Sequence, residues 1–372
     1  MILTKLNVVN YRNLAQAELA FSPNVNCLVG ANGQGKTNVL DAIYYLSFCR
    51  SSSNPTDVQN VRHGEEFFLV EGEYATDSGT TEKVFCGVKA GTPKRVEHNG
   101  KKLRRIAEHI GTIPLVMISP SDSLLVTGGS EERRRFMDSV ISQYDSEYLE
   151  SLIRYDKALR QRNALLRRED TEPDWEVVGV LEEMMAREAE TIFARRRTFI
   201  EAFVPLFKQL YDELCDNATE AASVSIEYQS HGFRGDLLPQ LREGRAKERI
   251  VGYTLHGPHK DDLSLLLGGY PLRREGSQGQ TKTYFIAMKL AQFLFLKEKG
   301  QRRTPLLLLD DIFDKLDAGR VGRIVRYASG DAFGQIFITD TNREHLDQIL
   351  AATQRDYRLF NVSDGQVEEV VH

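Results

Sequence analysis

The stretch Gly30-Ala31-Asn32-Gly33-Gln34-Gly35-Lys36-Thr37 carries the G-x-x-x-x-G-K-[ST] spacing of a phosphate-binding loop. Its glycines let the backbone turn N–H groups inward around an anion, and a helix starting there adds the favourable end of its dipole. Lys36 is placed to neutralise the outer phosphates and the Thr37 hydroxyl to ligate Mg²⁺. Hydrolysis also needs a group that holds the metal and aims a water at the γ-phosphate. Leu306-Leu307-Leu308-Leu309 reads as a buried strand ending in Asp310-Asp311. That strand is expected beside the loop strand in a parallel sheet, with Asp310 holding Mg²⁺ through its water shell and Asp311 polarising the attacking water.

Two further segments suit phosphate. Ser277-Gln278-Gly279-Gln280 opens an apolar helix, with Ser277 as its N-cap and Gly279 permitting close approach of backbone to a ligand. Thr339-Asp340-Thr341 ends another buried strand, where a γ-phosphate sensor would stand. Asp314-Lys315-Leu316-Asp317 follows Asp311 at short range.

The elements that must position these residues are legible from pattern. Val25 to Val29 leads into the loop as a strand, and Asn38 to Leu46 leads out at helical spacing. Ile2 to Val9, Phe67 to Tyr74, Glu82 to Val88 and Arg95 to His98 read as strands, with Asn99-Gly100 a hairpin turn. Leu115 to Ile118 is a short buried strand. Glu131 to Leu166 and Val177 to about Leu214 read as two helical stretches able to pair antiparallel, with Pro205 expected to kink or split the second. Val224 to Tyr228, Leu263 to Leu267, Gln335 to Thr339 and a hairpin over Tyr357 to Val371 return the chain to α/β character, with Ile324 to Tyr327 on a helix.

Length and composition bound the class. The 372 residues, 41% hydrophobic and 27% charged, describe a globular chain of two domains, or one with a large insertion. The division expected is 1–130 with the phosphate loop, 131–225 as an inserted helical domain, and 226–372 with the acidic strand. Four scattered cysteines without a CxxC pair suit a reducing compartment. With no signal peptide and no apolar run near a membrane span, a cytoplasmic location is expected. The net charge of −5 implies no general attraction to nucleic acid. Basic residues nonetheless cluster at Lys101, Lys102, Arg104 and Arg105, at Arg133 to Arg135, at Arg160, Arg162, Arg167 and Arg168, and at Arg195 to Arg197. Each cluster is either a solvated face or part of a phosphate-tracking groove.

The order of these motifs resembles the ABC-type ATPases with SMC-like heads, and within them the bacterial RecF family. The resemblance is carried by LNVVNYRNL at 6–14, GANGQGKTNVLDAIYYL at 30–46, Ser119-Pro120-Ser121-Asp122, Arg133-Arg134-Arg135-Phe136-Met137-Asp138, HGPHKDDL at 256–263, SQGQTKT at 277–283 and LLLLDDIFDKLD at 306–317. It implies an α/β ABC-type P-loop ATPase head, a mixed sheet with an antiparallel β-rich N-terminal part, carrying a helical insertion. It further implies ATP and Mg²⁺ as cofactors and weak DNA-dependent hydrolysis, with Lys36, Asp310 and Asp311 catalytic. Nucleotide contacts would run over Gly30, Ala31, Asn32, Gly33, Gln34, Gly35, Lys36 and Thr37. Ser277, Gly279 and Gln280 would come from the other subunit of an ATP-dependent homodimer, and Thr37 and Asp310 would hold the metal. The implied partners are double-stranded and gapped or junction DNA, RecR and RecO, with loading of the RecA recombinase and no membrane. The ATPase subunit of an ABC transporter shares this motif order, and a small-molecule kinase or GTPase shares the loop; both stay open at this point.

Overall fold

The computed structural model describes residues 1–76, 78–168, 171–215, 224–300, 303–312, 333–341, 346 and 356–370. Asp314 to Asp317 and the expected helix over Ile324 to Tyr327 lie outside them, as does Val371 at the end of the expected hairpin. In chain order, β1 (Ile2–Tyr11), β2 (Leu14–Ala20) and β3 (Val25–Val29) lead to the phosphate loop and helix α1 (Lys36–Phe48). Strands β4 (Phe67–Ala75), β5 (Thr81–Lys89), β6 (Arg95–His98), β7 (Lys101–Lys102) and β8 (Leu115–Ile118) follow. Then come α2 (Ser130–Ile141), α3 (Ser146–Leu166), α4 (Trp175–Leu214), β9 (Val224–Gln229), α5 (Leu237–Val251), β10 (Asp262–Leu267) and β11 (Tyr270–Pro271). The chain continues with α6 (Gln278–Lys299), β12 (Leu306–Asp310), β13 (Ile336–Asp340), β14 (Tyr357–Ser363) and β15 (Gln366–Glu369).

These elements form two units, Met1–Asp122 with Ile286–His372, and Ser123–Phe285. The division differs from boundaries drawn at 130 and 225. The physical reason is that β9, β10 and β11 pair with one another in a three-stranded antiparallel sheet, not with the strands of the first unit. Ser277, Gly279 and Gln280 therefore belong to the second unit.

In the first unit, β2-β1-β4-β5-β6-β7 form an antiparallel sheet and β15-β14-β3-β13-β12-β8 form a largely parallel one. Alternation on β4 and β5 buries one face only, whereas β8, β12 and β13 are buried on both faces, apolar except for Asp310, Thr339 and Asp340 at the ends of β12 and β13. Helix α1 is buried nearly all round, with Val39, Leu40, Ile43, Tyr45, Leu46 and Phe48 in one core with residues of both sheets.

In the second unit, α3 and α4 pair antiparallel, as the cross-links Arg195–Glu147, Arg154–Glu188 and Arg162–Glu182 show by running in opposite directions along the two helices. The expected single stretch from Glu131 to Leu166 is two helices. Asp145 accepts a hydrogen bond from the Tyr148 amide (2.9 Å) and starts α3 as its N-cap. Helix α4 continues through Pro205 without the expected split. Helix α5, unread in the sequence, buries Leu237 and Leu241 near its start and leaves Ile250 and Val251 exposed at its end.

His259 stands between the Tyr155 hydroxyl (Nδ1, 2.7 Å) and the Thr254 carbonyl (Nε2, 3.1 Å), which suits a neutral ring donating from Nε2. Burial, with Lys260, Arg134 and His231 adding repulsion, pushes its pKa down to about 3. A depressed folded pKa gives stability that is present above the unfolded value and lost as pH falls toward the folded one. We therefore expect His259 to cost the second unit about 1–2 kcal/mol between pH 7 and 5. Thermal midpoints measured across that range should fall for the wild type and fall less for His259→Gln; identical slopes would refute the assignment.

Candidate nucleotide site

The phosphate loop is shaped by close approach and by left-handed backbone. A side chain at Gly30 would place Cβ 2.2 Å from the Val362 carbonyl oxygen of β14, so only glycine fits. Gly35 enters α1 at φ 117°, a conformation that L side chains rarely adopt. Ala31, Asn32 and Gly33 are exposed at the loop crest, and Lys36 is buried beneath it. The Lys36 ammonium donates back to the loop, to the carbonyls of Gly30 (2.7 Å) and Ala31 (3.0 Å). Burial lowers its pKa, opposed by Asp311, Asp310 and Asp340.

The acidic strand is not beside the loop strand. Strand β13 stands between them, with Asp310 level with Thr339 and Thr339 level with Leu28 in parallel register. Thr339 bridges the gap. Its hydroxyl donates to Asp310 Oδ1 (2.8 Å) and accepts from the Asp311 amide (3.0 Å). From the loop side, the Thr37 hydroxyl reaches the same carboxylate at 2.9 and 3.0 Å. Asp311 adopts φ 49°, which turns the chain at the strand end. Burial raises the Asp310 pKa, with Asp311 pushing the same way; the two threonine hydrogen bonds and Lys36 oppose it. Thr37 Oγ1 and the Asp310 carboxylate are hard oxygen donors already in contact, a donor set that fits Mg²⁺ retaining most of its waters.

An outer ring of residues, unread in the sequence, fixes the loop. The Gln34 carbonyl accepts from Asn13 Nδ2 (2.9 Å) and the Gly365 amide (3.0 Å), while its side-chain oxygen accepts from the Asp364 amide (2.6 Å). Asn13 also accepts from Asn38 (2.7 Å). Arg12 donates to Asn38 (2.8 Å) and pairs with Asp41 (2.9 Å), a fully buried carboxylate that also accepts from Tyr11 and Ser52. The available signal was the polar Asn10, Arg12 and Asn13 set between two alternating strands; Asn10 and Arg12 both have φ 55°.

Ser277 and Gln280 form a reciprocal cap in the second unit. The Ser277 amide donates to Gln280 Oε1 (2.8 Å) and the Gln280 amide to Ser277 Oγ (3.2 Å). Gly279 lies in the first turn of α6. The motifs at 133–138 and 256–263 are brought together within this unit. Arg133 pairs with Asp262 (2.6 Å), Arg134 donates to the Asp261 carbonyl (2.8 Å), and buried Arg196 joins Asp138 (2.9 Å) to Asp261 (2.8 Å). Several arginines of the basic clusters are thus engaged internally: Arg135 with Glu131, Arg160 with Asp156, Arg162 with Glu182 and Glu248, Arg195 with Asp145 and Glu147.

A phosphate loop whose threonine contacts an acidic strand end in one parallel sheet, in a unit that also holds an antiparallel sheet and in a chain that carries a separate helical unit, defines an ATPase head of the SMC-like class. Residues 2–367 match the RecF/RecN/SMC N terminal domain family. The chain is 56% identical over 369 residues to the DNA replication and repair protein RecF of Phocaeicola vulgatus, covering 99% of this chain and 98% of that protein. It is 53% identical over 370 residues to the RecF protein of Bacteroides fragilis, covering 100% and 99%. The solved structure of the recombination mediator protein RecF with ATP, in the RecFOR pathway, superposes with a TM-score of 0.88 at 28% identity, covering 100% of this chain and 98% of that one. An Smc head bound to the C-winged helix domain of ScpA shares the fold, at TM-score 0.58 and 15% identity over 100% of this chain and 97% of that one. The chain belongs to the RecF family.

A raised folded pKa means that the Asp310 carboxylate costs stability once pH exceeds its folded value, with the benefit confined to pH below the unfolded value. Asp310→Asn should therefore raise the melting midpoint of the nucleotide-free protein by about 1–3 °C near pH 7 and by less near pH 4, while abolishing ATP hydrolysis. A lowered midpoint at pH 7 would show the carboxylate to be favourably paired instead.

Proposed function

We propose that this protein is an ATP-dependent DNA-binding switch of recombinational gap repair and replication. The observation that carries the reading is the contact of Thr37 with Asp310, held by Thr339 at the mouth of a glycine loop that also presents Lys36. Three elements already converge there, so ATP would meet a preformed site. Lys36 would exchange its two loop carbonyls for the outer phosphates. Asp311 would orient and deprotonate the attacking water, and Thr37 with Asp310 would hold Mg²⁺. When bound, that ion offsets the charge developing on the phosphate oxygens.

Membership of the family supports the finer reading. ATP would be shared between two copies of the chain, with Ser277, Gly279 and Gln280 of one subunit facing the Lys36-bound phosphates of the other. The closed dimer would grip duplex or gapped DNA, and slow, DNA-dependent hydrolysis would release it. RecR and RecO would be its partners in helping to load RecA. ATP favours the closed dimer only by the free energy with which it binds that state better. The transporter alternative is not favoured, since the relatives 53–56% identical over nearly the whole chain are RecF proteins.

The test is ATPase activity with and without gapped DNA, alongside mass measurement of the oligomer with ATP. Wild type should dimerise with ATP and hydrolyse it faster on DNA. Lys36→Arg and Ser277→Arg should stay monomeric, with turnover reduced about 100-fold or more. Dimerisation of both variants like wild type would refute the composite site.

A further inference from the structure

We propose that the β6–β7 hairpin and the residue run after it, through Lys101, Lys102 and Arg104, contact the phosphate backbone of duplex DNA. The proposal rests on the DNA-switch reading above and names the residues that would serve it in the first unit.

The observation is a difference in how cations are used. The cations of β5 and those leading into and opening β6 hold carboxylates: Lys83 with Glu73 (2.5 Å), Lys89 with Glu66 (3.1 Å), Lys94 with Asp57 (2.7 Å) and Arg95 with Glu97 (2.6 Å). Lys101, Lys102 and Arg104 are exposed and, among the described residues, hold none. Lys102 lies opposite Glu97, but that carboxylate is already taken by Arg95. Glu82 is taken by His98 (3.0 Å) and Arg303 (3.4 Å). Glu108 is the one carboxylate between residues 99 and 110.

The hairpin also presents these charges on a fixed frame. Asn99 and Gly100 make the turn at φ 51° and 74°, and Asn99 is tied to Lys83 through its amide (2.8 Å) and its side-chain oxygen (2.7 Å). Beyond β7, the Leu103 amide donates to the Val96 carbonyl (2.9 Å) while its side chain packs on the core. A held backbone loses little entropy on binding, and uncommitted cations carry no intramolecular pair to break. Their partner is a dense row of negative charge read without regard to sequence, which is the phosphate backbone. Lysines on an edge strand also discourage strand pairing between molecules, and that role leaves DNA affinity untouched.

The experiment measures affinity for a fluorescent duplex oligonucleotide, with ATP, over a range of salt. Proteins compared are wild type, the triple variant Lys101→Ala, Lys102→Ala, Arg104→Ala, and a control carrying Arg135→Ala and Arg160→Ala, whose cations are internally paired. The triple variant should melt as wild type does, bind at least about tenfold more weakly, and show a salt slope smaller by about two to three. The control should keep the wild-type slope. A triple variant with wild-type affinity and slope overturns this inference and leaves the DNA-switch reading standing. A wild type that binds no duplex with ATP overturns that reading, and this one with it.

Discussion

Everything at the nucleotide site depends on three parallel strand ends being level. Because β3, β13 and β12 run in one direction, the loop after Val29, the Thr339 hydroxyl and the Asp310 carboxylate emerge at the same edge of the sheet. A one-residue slip of β12 would turn Asp310 to the opposite face and bring Leu309 to the edge. The register is held by apolar burial on both faces of β12 and β13, so the core and the site have one origin. The intervening strand does more than separate the halves. It places a hydroxyl that donates to the Asp310 carboxylate and accepts from the Asp311 backbone amide, so β13 orients the first carboxylate and fixes the backbone from which the second projects.

Local chemistry made the phosphate loop, the acidic strand end and Thr339 legible. The loop spacing, the apolar run into Asp310-Asp311, and Thr339 at a strand end are short-range patterns, and each was read where the structure puts it. The order of strands was not legible, because periodicity says that a strand is buried but not which neighbour it has. The same limit hid the Asn13–Gln34–Gly365 clamp, whose members are far apart in sequence and individually ordinary. Among helices, the break before Ser146 was missed although Asp145-Ser146-Glu147 is a capping sequence. The apolar steps run through the break, and periodicity outweighed the cap. At Pro205 the helix is not split: α4 runs on, with buried apolar residues on both sides of the proline.

The arginine-rich motifs show why residue type alone is a poor guide to nucleic-acid contact. Arg162 is fully buried with Glu182 and Glu248, and Arg196 is buried with Asp138 and Asp261. Breaking such a pair by deleting one member leaves an uncompensated charge in a low-dielectric interior, a cost of about 3–5 kcal/mol. That penalty ties α2, α3, α4 and the Pro258 turn into one arrangement, since Arg196 also donates to the Pro258 carbonyl. Segments 133–138 and 256–263 therefore serve the frame of the helical unit.

Committing positive charge to internal pairs has a consequence for a protein of net charge −5. A cation that already holds a carboxylate gains little from a phosphate, because the exchange breaks one charge-assisted hydrogen bond to make another. Any attraction to DNA would then come from the cations left uncommitted, and long-range steering by a molecule of net negative charge would be weak. Binding that rests on a few contacts is weak for one copy and strong for two held together, because the second contact becomes intramolecular. On the proposed function, a protein of net negative charge would grip DNA more firmly when joined to a second copy. Under that constraint the nucleotide, acting through dimerisation, would control DNA affinity without touching the DNA.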